Sequence, residues 1–493
     1  MLALQRRFER PQPSALLIAA AWAGVALVTG AILAGLSLLN GLAIVAGVVV
    51  LVAAAWEPAL GLGLALILGT SHAYLMAARP DLPDLGQVVL GLALAGWLAR
   101  GLAQRAIVIP RVSLLVPLGL YVGVGLLSLL PAASLEAGLN EIIKWTEVGA
   151  IIVIVVGEAR RGRARWILGA VLIAGVAQAL IGLYQYQWRG TGPIEFIIQG
   201  THYRAYGTFE QPNPYGGFVG LIWPVAAGLA CAMVARAWHS RRRRDWVVAG
   251  GFALAAGLML AALYVSFSRG AWLGAVAAGL ALVIAWPRRL WLGVGLVAIG
   301  LALGLGLASA GLLPASVTDR LAAVGDFTTV TNVRGIDITS ANFAIVERLA
   351  HWQAAEGMVR DYPWLGVGIG NYATAYPRYS LINWPLALGH AHMIYLNVLA
   401  ETGLLGLAAY AALWLTVFAL TIRTIRRTSG LSRGFAIGLL GAWAHLSAHQ
   451  IVDNLYVNNI PLTLAALLGL LVVLAQKKTP VNGLNGFIGW TKT

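Results

Sequence analysis

Long apolar stretches recur along most of this chain, each close to the roughly 20 residues that a helix needs to cross a bilayer. They are separated by short polar turns, except before the last three stretches, where about 80 more polar residues intervene. We predict a transmembrane helix in each stretch. The stretches are residues 14–34, 38–56, 58–77, 85–103, 113–132, 139–157, 163–186, 213–236, 245–267, 270–287, 290–313, 400–422, 433–451 and 458–476.

The first stretch is too long, and too soon followed by the second, for a cleaved signal peptide. The fold class expected is therefore an all-α polytopic membrane protein with about 14 transmembrane helices, or 12 to 14 allowing for merged stretches. It would have one long periplasmic loop containing amphipathic helices. Three regions follow: helices 1–11 in residues 1–313, the large loop in residues 314–392, and helices 12–14 with a tail in residues 393–493.

Basic residues alternate between successive loops and so predict an orientation, because Lys and Arg concentrate on the cytoplasmic side. Of the 34 basic residues, 24 fall in one set of alternate loops and at the two ends. This pattern predicts both termini in the cytoplasm and the large loop on the outer face of the inner (cytoplasmic) membrane. The loop is called periplasmic here because it faces away from the cytoplasm.

Composition agrees with a membrane protein and argues against a nucleic-acid partner. Hydrophobic residues make up 59% of the 493-residue chain and charged residues 11%, against about 25% charged in soluble proteins. The net charge of +15 is accounted for by the cytoplasmic loops, since the outer segment holds five arginines against six carboxylates. With Cys231 as the single cysteine, the chain has no internal disulfide, and a structural zinc site is not expected.

One outer loop, "GTHYRAYGTFEQPNPYGGF" at residues 200–218, places Arg204 among tyrosines, prolines and paired glycines. Two interpretations stay open. Arg204 would reach the lipid headgroups from an interfacial aromatic belt, or it would bind phosphate oxygens, for which arginine is the preferred donor. Tyr206 and Asn213 of this loop are candidate supporting residues.

A second arginine, Arg269 in "YVSFSRGAWLGA", lies between two strongly apolar stretches on the outer side, where the charge rule does not place it. The two stretches leave only a tight hairpin, so the guanidinium is expected near the outer interface. Contact with lipid phosphate and contact with a substrate anion are both compatible with this position.

The long outer segment begins with a helical apolar pattern over residues 346–359 and continues through the glycine-alternating "GVGIGNY". The pattern predicts an amphipathic helix on or over the membrane. The glycines do not form a dinucleotide fingerprint, because no buried strand precedes them; they predict a bend where backbone approaches backbone. The segment ends in "HAHMIYLNVLAETGLLG", with His390 and His392 just before the next apolar stretch.

Two further clusters lie near the predicted outer ends of helices. His445, His449 and Asp453 recur every four residues and would share a helical face. Their spacing permits a metal ion, but hydrogen bonding between helices is the favoured interpretation. Glu141, Lys144 and Glu147 form the other cluster, in which Lys144 is three residues from either glutamate.

Together, "GTFEQPNPYGG" with its preceding arginine, "SFSRGA", the segment "RLAHWQAAEGMVRDYPWLGVGIGNYATAYPRY" and "HAHMIYLNVLAETGLLG" resemble the O-antigen ligase and polymerase superfamily. The resemblance is strongest over residues 200–410. It implies a membrane glycosyltransferase that moves a glycan from undecaprenyl diphosphate to a hydroxyl of a glycolipid, glycan or protein acceptor, with no metal ion and no cofactor. The chain departs from the family pattern at Met393, where an asparagine usually follows the histidine.

By position, Arg204 and Arg269 match the family arginines that hold the diphosphate, and His392 matches its histidine. His390 remains an alternative as the base. The chemistry is consistent with this: arginines neutralise charge on a leaving diphosphate, and a histidine deprotonates the attacking hydroxyl. The outer segment has no Asp-x-Asp pair for a metal-dependent transfer. Further supporting residues proposed in the same region are Arg348, Tyr376, His449 and Asp453.

Three functions compete at this stage. A ligase and a repeat-unit polymerase need the same donor site and base and differ in the acceptor. A secondary transporter or flippase of an anionic or glycan substrate is a more distant alternative, because many helices with intramembrane arginines also describe that class. No matching pair of interrupted helices recurs between the two halves of the chain, which disfavours transport.

Overall fold

A computed structural model describes residues 38–105, 110, 112–198, 200, 202–312, 333–339 and 342–476. The first predicted stretch (residues 14–34), both termini, and Asp319 and Asp326 of the outer segment lie outside the described residues. Within the described parts the chain is almost entirely helical.

Most helices follow the apolar stretches, two lie in the outer segment, and all are numbered in chain order. They are α1 Leu38–Trp56, α2 Pro58–Leu68, α3 His72–Ala78, α4 Leu85–Ala103, α5 Leu115–Ser128, α6 Leu135–Arg160, α7 Ala164–Tyr184, α8 Pro212–Ser240, α9 Arg243–Val265, α10 Arg269–Ala285, α11 Leu290–Ser309, α12 Phe343–Asp361, α13 Tyr372–Tyr379, α14 Ile394–Arg427, α15 Gly430–His449 and α16 Ile460–Ala475.

Short irregular turns join some of these helices at the predicted outer side. Single turns of 3-10 helix lie at Gly69–Ser71 and Ile194–Phe196, and a π-helical turn, Gln185–Arg189, extends α7. Two short antiparallel strands, β1 Ile197–Ile198 and β2 His202–Tyr203, pair Ile197 with Tyr203. This small ladder is the one departure from an all-α fold in the described residues, and two residues a strand are too few for sequence periodicity to reveal.

Seven helices in the described residues are long and apolar enough to cross a membrane, and four more apolar helices are shorter. This supports a polytopic helical membrane protein, while the total of 14 spans stays a prediction. Within the 18-residue apolar part of α8, 78% of the residues are buried inside the protein, against 6% in the corresponding part of α11. Accordingly α8 lies inside the bundle, and α11 presents nearly its whole surface outward, where a bilayer would cover it.

Small residues let the central helices approach each other closely. α8 packs along α9 and α15, and α15 also packs against α10. A Cβ atom added at Gly228 of α8 would lie 2.3 Å from the carbonyl oxygen of Gly434 in α15, and one added at Gly438 would lie 2.7 Å from the backbone of Pro224 and Val225. Such small-residue contacts are typical of helix packing in membranes, where van der Waals packing drives helix association.

The outer segment folds against the start of α14. The apolar face predicted for α12 is buried, with Val346 1% and Ala355 0% exposed. Residues of α12, α13 and α14 share one apolar cluster that includes Met358, Tyr372 and Ala400. α12 is therefore held on the bundle by its own apolar face.

The glycine-alternating turn is the bend that the sequence predicts. Gly366, Gly368 and Gly370 all have positive φ, at 67°, 104° and 72°. A Cβ atom at Gly366 would lie 2.3 Å from the backbone of Glu401 in α14, and one at Gly370 would lie 2.6 Å from the carbonyl oxygen of Ala137 in α6. Only glycine both adopts these positive φ angles readily and lacks the Cβ atom for which there is no room. The turn therefore packs tightly between α6 and α14 and fixes the position of the outer segment.

The helix α14 has a kink that receives the same segment. Gly403 has φ 64° and ψ −167°, which is not helical. The amide of Leu404 donates instead to the carbonyl of Pro363 at 2.8 Å. The side chain of Glu401, two residues before Gly403, accepts a hydrogen bond from the amide of Tyr372 at 3.1 Å. The kink thus replaces helical hydrogen bonds by bonds to the outer segment.

Candidate active site

The turn between α9 and α10 positions Arg269 at a helix N-terminus. Ser268 is the N-cap of α10, and its hydroxyl accepts a hydrogen bond from the amide of Ala271 at 3.3 Å. Arg269 is the first residue of the helix and is exposed. The partial positive charge of the helix end adds to the guanidinium, so this point favours an anion.

Arg204 is bound to that same turn. Its Nε donates to the carbonyl of Ser266 at 2.9 Å, and a terminal nitrogen donates to Asn213 Oδ1 at 3.4 Å. The amide of Ala205 donates to the carbonyl of Val265 at 2.9 Å. The loop that carries Arg204 and the turn that carries Arg269 are thus joined, and Asn213 supports Arg204 directly.

The end of α15 packs against the first turn of α10. His449 is fully buried, and a Cβ atom added at Gly270 would lie 2.4 Å from its Cδ2. Among the described residues, neither ring nitrogen of His449 has a hydrogen-bond partner. The hydrogen bond between helices favoured from the sequence is therefore absent for His449 within the part of the chain that the structure describes.

The shared helical face predicted for His445, His449 and Asp453 is only partly correct. α15 ends at His449, so His445 and His449 share a face, with ring centroids 5.6 Å apart. Asp453 lies beyond the helix end, where the backbone no longer follows helical periodicity. The turn after α15 brings Asp453 instead to the histidines at the start of α14.

His390 and His392 lie in a tight turn before α14. His392 has φ 53°, and its amide donates to His390 Nδ1 at 3.0 Å. The amide of Ala391 donates to Asn397 Oδ1 at 3.0 Å, and that of Ile394 donates to the carbonyl of Gln450 at 3.0 Å. Met393 makes no capping hydrogen bond, so Asn397 and Gln450 orient the turn in this chain.

The two histidines and Asp453 form one cluster. The ring centroids of His390 and His392 are 4.6 Å apart. One ring nitrogen of each histidine and a carboxylate oxygen of Asp453 all lie within 4.8 Å of one another. Asp453 is 5% exposed and the two histidines are half-buried, so these donors converge in a partly enclosed space.

A third imidazole, missed by sequence reasoning, continues this cluster. The ring of His351 from α12 lies 5.3 Å from that of His392 and stacks on Tyr376 at 4.7 Å. His351 Nδ1 is 3.1 Å from the hydroxyl of Tyr372. Tyr376 is itself buried, and its hydroxyl donates to the carbonyl of Trp384 at 2.8 Å. The sequence contained one indication of this proximity. His351 follows Arg348, a candidate site residue, by three residues on the same predicted helix, so the two side chains lie on the same helical face.

Burial keeps these histidines neutral. Burial, followed by the charges of His390, Arg348 and His351, lowers the pKa of His392 to about 2. Burial, followed by His390, lowers the pKa of His351 to about 4. Burial also lowers the pKa of His390, against the opposing charge of Asp453. At neutral pH each ring is therefore uncharged and has one nitrogen lone pair.

Residues 254–411 match the family described as O-antigen ligase. This segment is therefore similar to the O-antigen ligase family. The match confirms the family resemblance seen in the sequence. No curated protein matched the chain.

The matched segment contains most of the site just described. It contains Arg269, Arg348, His390 and His392, whereas Arg204 and Asp453 lie outside it. Both outside residues nevertheless contact it, through Ser266 and through the histidine turn. The match does not assign a role to any residue, so the roles of the two arginines and the histidines stay predictions.

The hydroxyl of Tyr206 and the cavity that it lines involve residues outside the matched segment. Its hydroxyl accepts a hydrogen bond from Arg189 at 2.6 Å. It lines a cavity of about 460 Å³ together with Tyr74, Tyr184 and Glu210. The role beside Arg204 predicted for Tyr206 is therefore not supported by its contacts.

Of the two ion pairs considered for Lys144, one forms. Lys144 Nζ is 2.6 Å from Glu141 and also donates to the carbonyl of Tyr456 at 3.0 Å. Glu147 accepts instead from Gln87 at 3.3 Å. This cluster joins α6 to the segment before α16 and to α4, which indicates a structural role.

Proposed function

We propose that the protein transfers a glycan from undecaprenyl diphosphate to an acceptor hydroxyl at the outer face of the inner membrane. Arg204 and Arg269 bind the diphosphate, and His392 is the base. The observations that carry the proposal are contacts on one side of the bundle. Arg204 is hydrogen-bonded to Ser266 in the turn before α10, and His449 packs on Gly270 in the first turn of α10. Asp453 follows His449 by four residues and lies beside His390 and His392.

The proposed reaction uses these residues in two roles. A nitrogen of His392 takes the proton of the acceptor hydroxyl as its oxygen bonds to the anomeric carbon. The bond between that carbon and the diphosphate oxygen breaks, and the two guanidinium groups meet the negative charge that develops there. Such stabilisation is strongest where water is excluded, and a positioned base contributes about 10²- to 10⁴-fold in rate.

The location of these groups supports an outer-face reaction. The α9–α10 turn, the end of α15 and the start of α14 all lie on the side that the charge pattern assigns to the exterior. The large loop then lies on that side as an acceptor platform, and both termini face the cytoplasm.

Reconstituted transfer with an undecaprenyl-diphosphate glycan donor tests this proposal. We expect His392→Ala to lower kcat by about 10²-fold or more. We expect Arg269→Lys to lose at least about tenfold, because lysine does not reproduce bidentate contacts to phosphate. His239→Ala and Arg360→Ala are matched controls, since both side chains are exposed and away from the site. Full activity of His392→Ala would contradict the proposed base.

The same assay separates the two acceptor classes. A ligase transfers the glycan to a separate lipid or protein hydroxyl, as the family description favours. A repeat-unit polymerase would instead lengthen the glycan on the donor itself, and longer carrier-linked products without added acceptor would identify it.

A further inference from the structure

The cluster of His390, His392 and Asp453 has the composition of a metal site. Two imidazole nitrogens and a carboxylate oxygen lie within 4.8 Å of one another. A His₂-carboxylate set is used by zinc and other divalent transition metals. The set comes from two chain segments some 60 residues apart, so sequence spacing does not reveal it.

We propose that His390, His392 and Asp453 bind a divalent transition metal such as Zn²⁺, and that the bound metal inhibits transfer by occupying the lone pair of His392. The inhibitory step rests on the proposed function, whereas the binding step does not. The metal is a regulator in this proposal, and transfer itself needs none.

The ligands are nearly in place for coordination. Tetrahedral zinc with bonds of about 2.0–2.1 Å requires donors roughly 3.3 Å apart. The side chains therefore need to close by at most about 1.5 Å. Neither ring nitrogen of His392 has a hydrogen-bond partner among the described residues, so ligation by His392 breaks no bond seen there. Asp453 already accepts from the amide of Asn454 at 2.8 Å, which orients its carboxylate.

Two features oppose metal binding, and their free-energy costs must be compared with the gain from the metal–ligand bonds. His390 Nδ1 accepts from the amide of His392, so ligation through Nε2 moves the ring proton to Nδ1 and loses one neutral hydrogen bond. Arg348 also acts electrostatically on both histidines and repels a cation. One neutral hydrogen bond has a small net value, and metal–ligand bonds in such sites are much stronger. Arg348 therefore tunes the affinity of the site.

Zinc binding is tested on the purified full-length protein, stripped of metal and titrated with Zn²⁺ against a chromophoric chelator. We expect one equivalent to bind, and Asp453→Asn to weaken binding at least about tenfold, since it removes the anionic ligand. Arg348→Gln should tighten binding severalfold, because it removes the repelling charge. His239→Gln is the control, since this exposed histidine lies on the other side of the bundle.

Asp453→Glu guards against a misfolded variant, because it keeps a carboxylate ligand and should retain most of the affinity. Absence of saturable binding to the wild type, or equal binding by wild type and Asp453→Asn, would overturn the site. Weaker binding by Arg348→Gln would also count against it.

The inhibitory step has its own measurement. Transfer by the wild type should fall with free Zn²⁺ at a midpoint equal to the dissociation constant from the titration, and a chelator should restore it. Loss of transfer on chelation would overturn inhibition in favour of a required metal. Zinc binding without inhibition would support the site while contradicting His392 as the base, so the two proposals fail separately.

Discussion

His392 has a backbone conformation that few residues other than glycine adopt, with φ 53°. Such strain persists where neighbouring contacts hold it, and it concentrates at functional sites. Here Asn397 and Gln450 supply those contacts. The sequence motif around His392 could be recognised from the sequence. So could the unusual position of Arg269 on the outer side, where the charge rule does not place basic residues. The proximity of His351 was not, because it depends on how α12 packs on α14.

The environment of His392 predicts an unusual pH profile. The base must be neutral, and its pKa in the free enzyme is far below the ordinary value of about 6.5. We therefore expect kcat/KM, which reports the free enzyme, to stay level as the pH falls well below 6.5. A decline centred near pH 6.5 would indicate that His392 is not the base, or that it is solvated.

Arg348 gives this profile a second test. Its charge helps to lower the pKa of His392, so Arg348→Gln should raise that pKa and move the acid limb of kcat/KM to higher pH. Arg360→Gln is the matched control on the same helix, because Arg360 is exposed and its nearest carboxylate is Glu356 at 3.8 Å. An unchanged limb in Arg348→Gln would show that the guanidinium does not act on the base.

At the scale of elements, apolar periodicity predicted the helices well where nothing polar interrupts them. The stretches at residues 38–56 and 85–103 coincide with α1 and α4. α14 was expected from residue 400 but begins at Ile394. Its first turns carry polar Asn397 and Glu401, which reduce the apolar signal. Both side chains are buried because they accept hydrogen bonds from residues before α14. The apolar pattern of one stretch does not reveal such bonds.

The kink of α14 carries a stability prediction. Gly403→Ala would place a Cβ 2.2 Å from the backbone of Trp364 on a residue with φ 64°. Strain and overlap together should cost on the order of 3 kcal/mol or more, measured as a fall in thermal unfolding temperature in detergent. Gly304→Ala in α11 is the control, because its Cβ would meet nothing within 4 Å. If both variants unfolded at the same temperature, the positive φ and the close packing of Gly403 at the kink would be contradicted.

At the scale of the whole molecule, the site is assembled from segments far apart in the chain. Arg204, Arg269, His392 and Asp453 come from four connecting turns on one side of the bundle. The alternation of basic loops predicted that they share a side, because charge placement relative to the membrane is a property of the sequence. How these turns lie against one another depends on the packing of α8, α10 and α15, which sequence patterns alone do not encode.

The orientation of the bundle can be measured directly with thiol labelling. Cys231 is the single cysteine, so Cys231→Ser provides a background without thiols. On that background, Arg360→Cys in α12 should react with a membrane-impermeant maleimide added to intact cells. Arg243→Cys, at the start of α9, should react only after the membrane is permeabilised. Both arginines are exposed, so a difference in labelling reports the side of the membrane. The reverse pattern would place His392 in the cytosol, away from a donor displayed on the outer leaflet, and the proposed transfer reaction would then have to be abandoned.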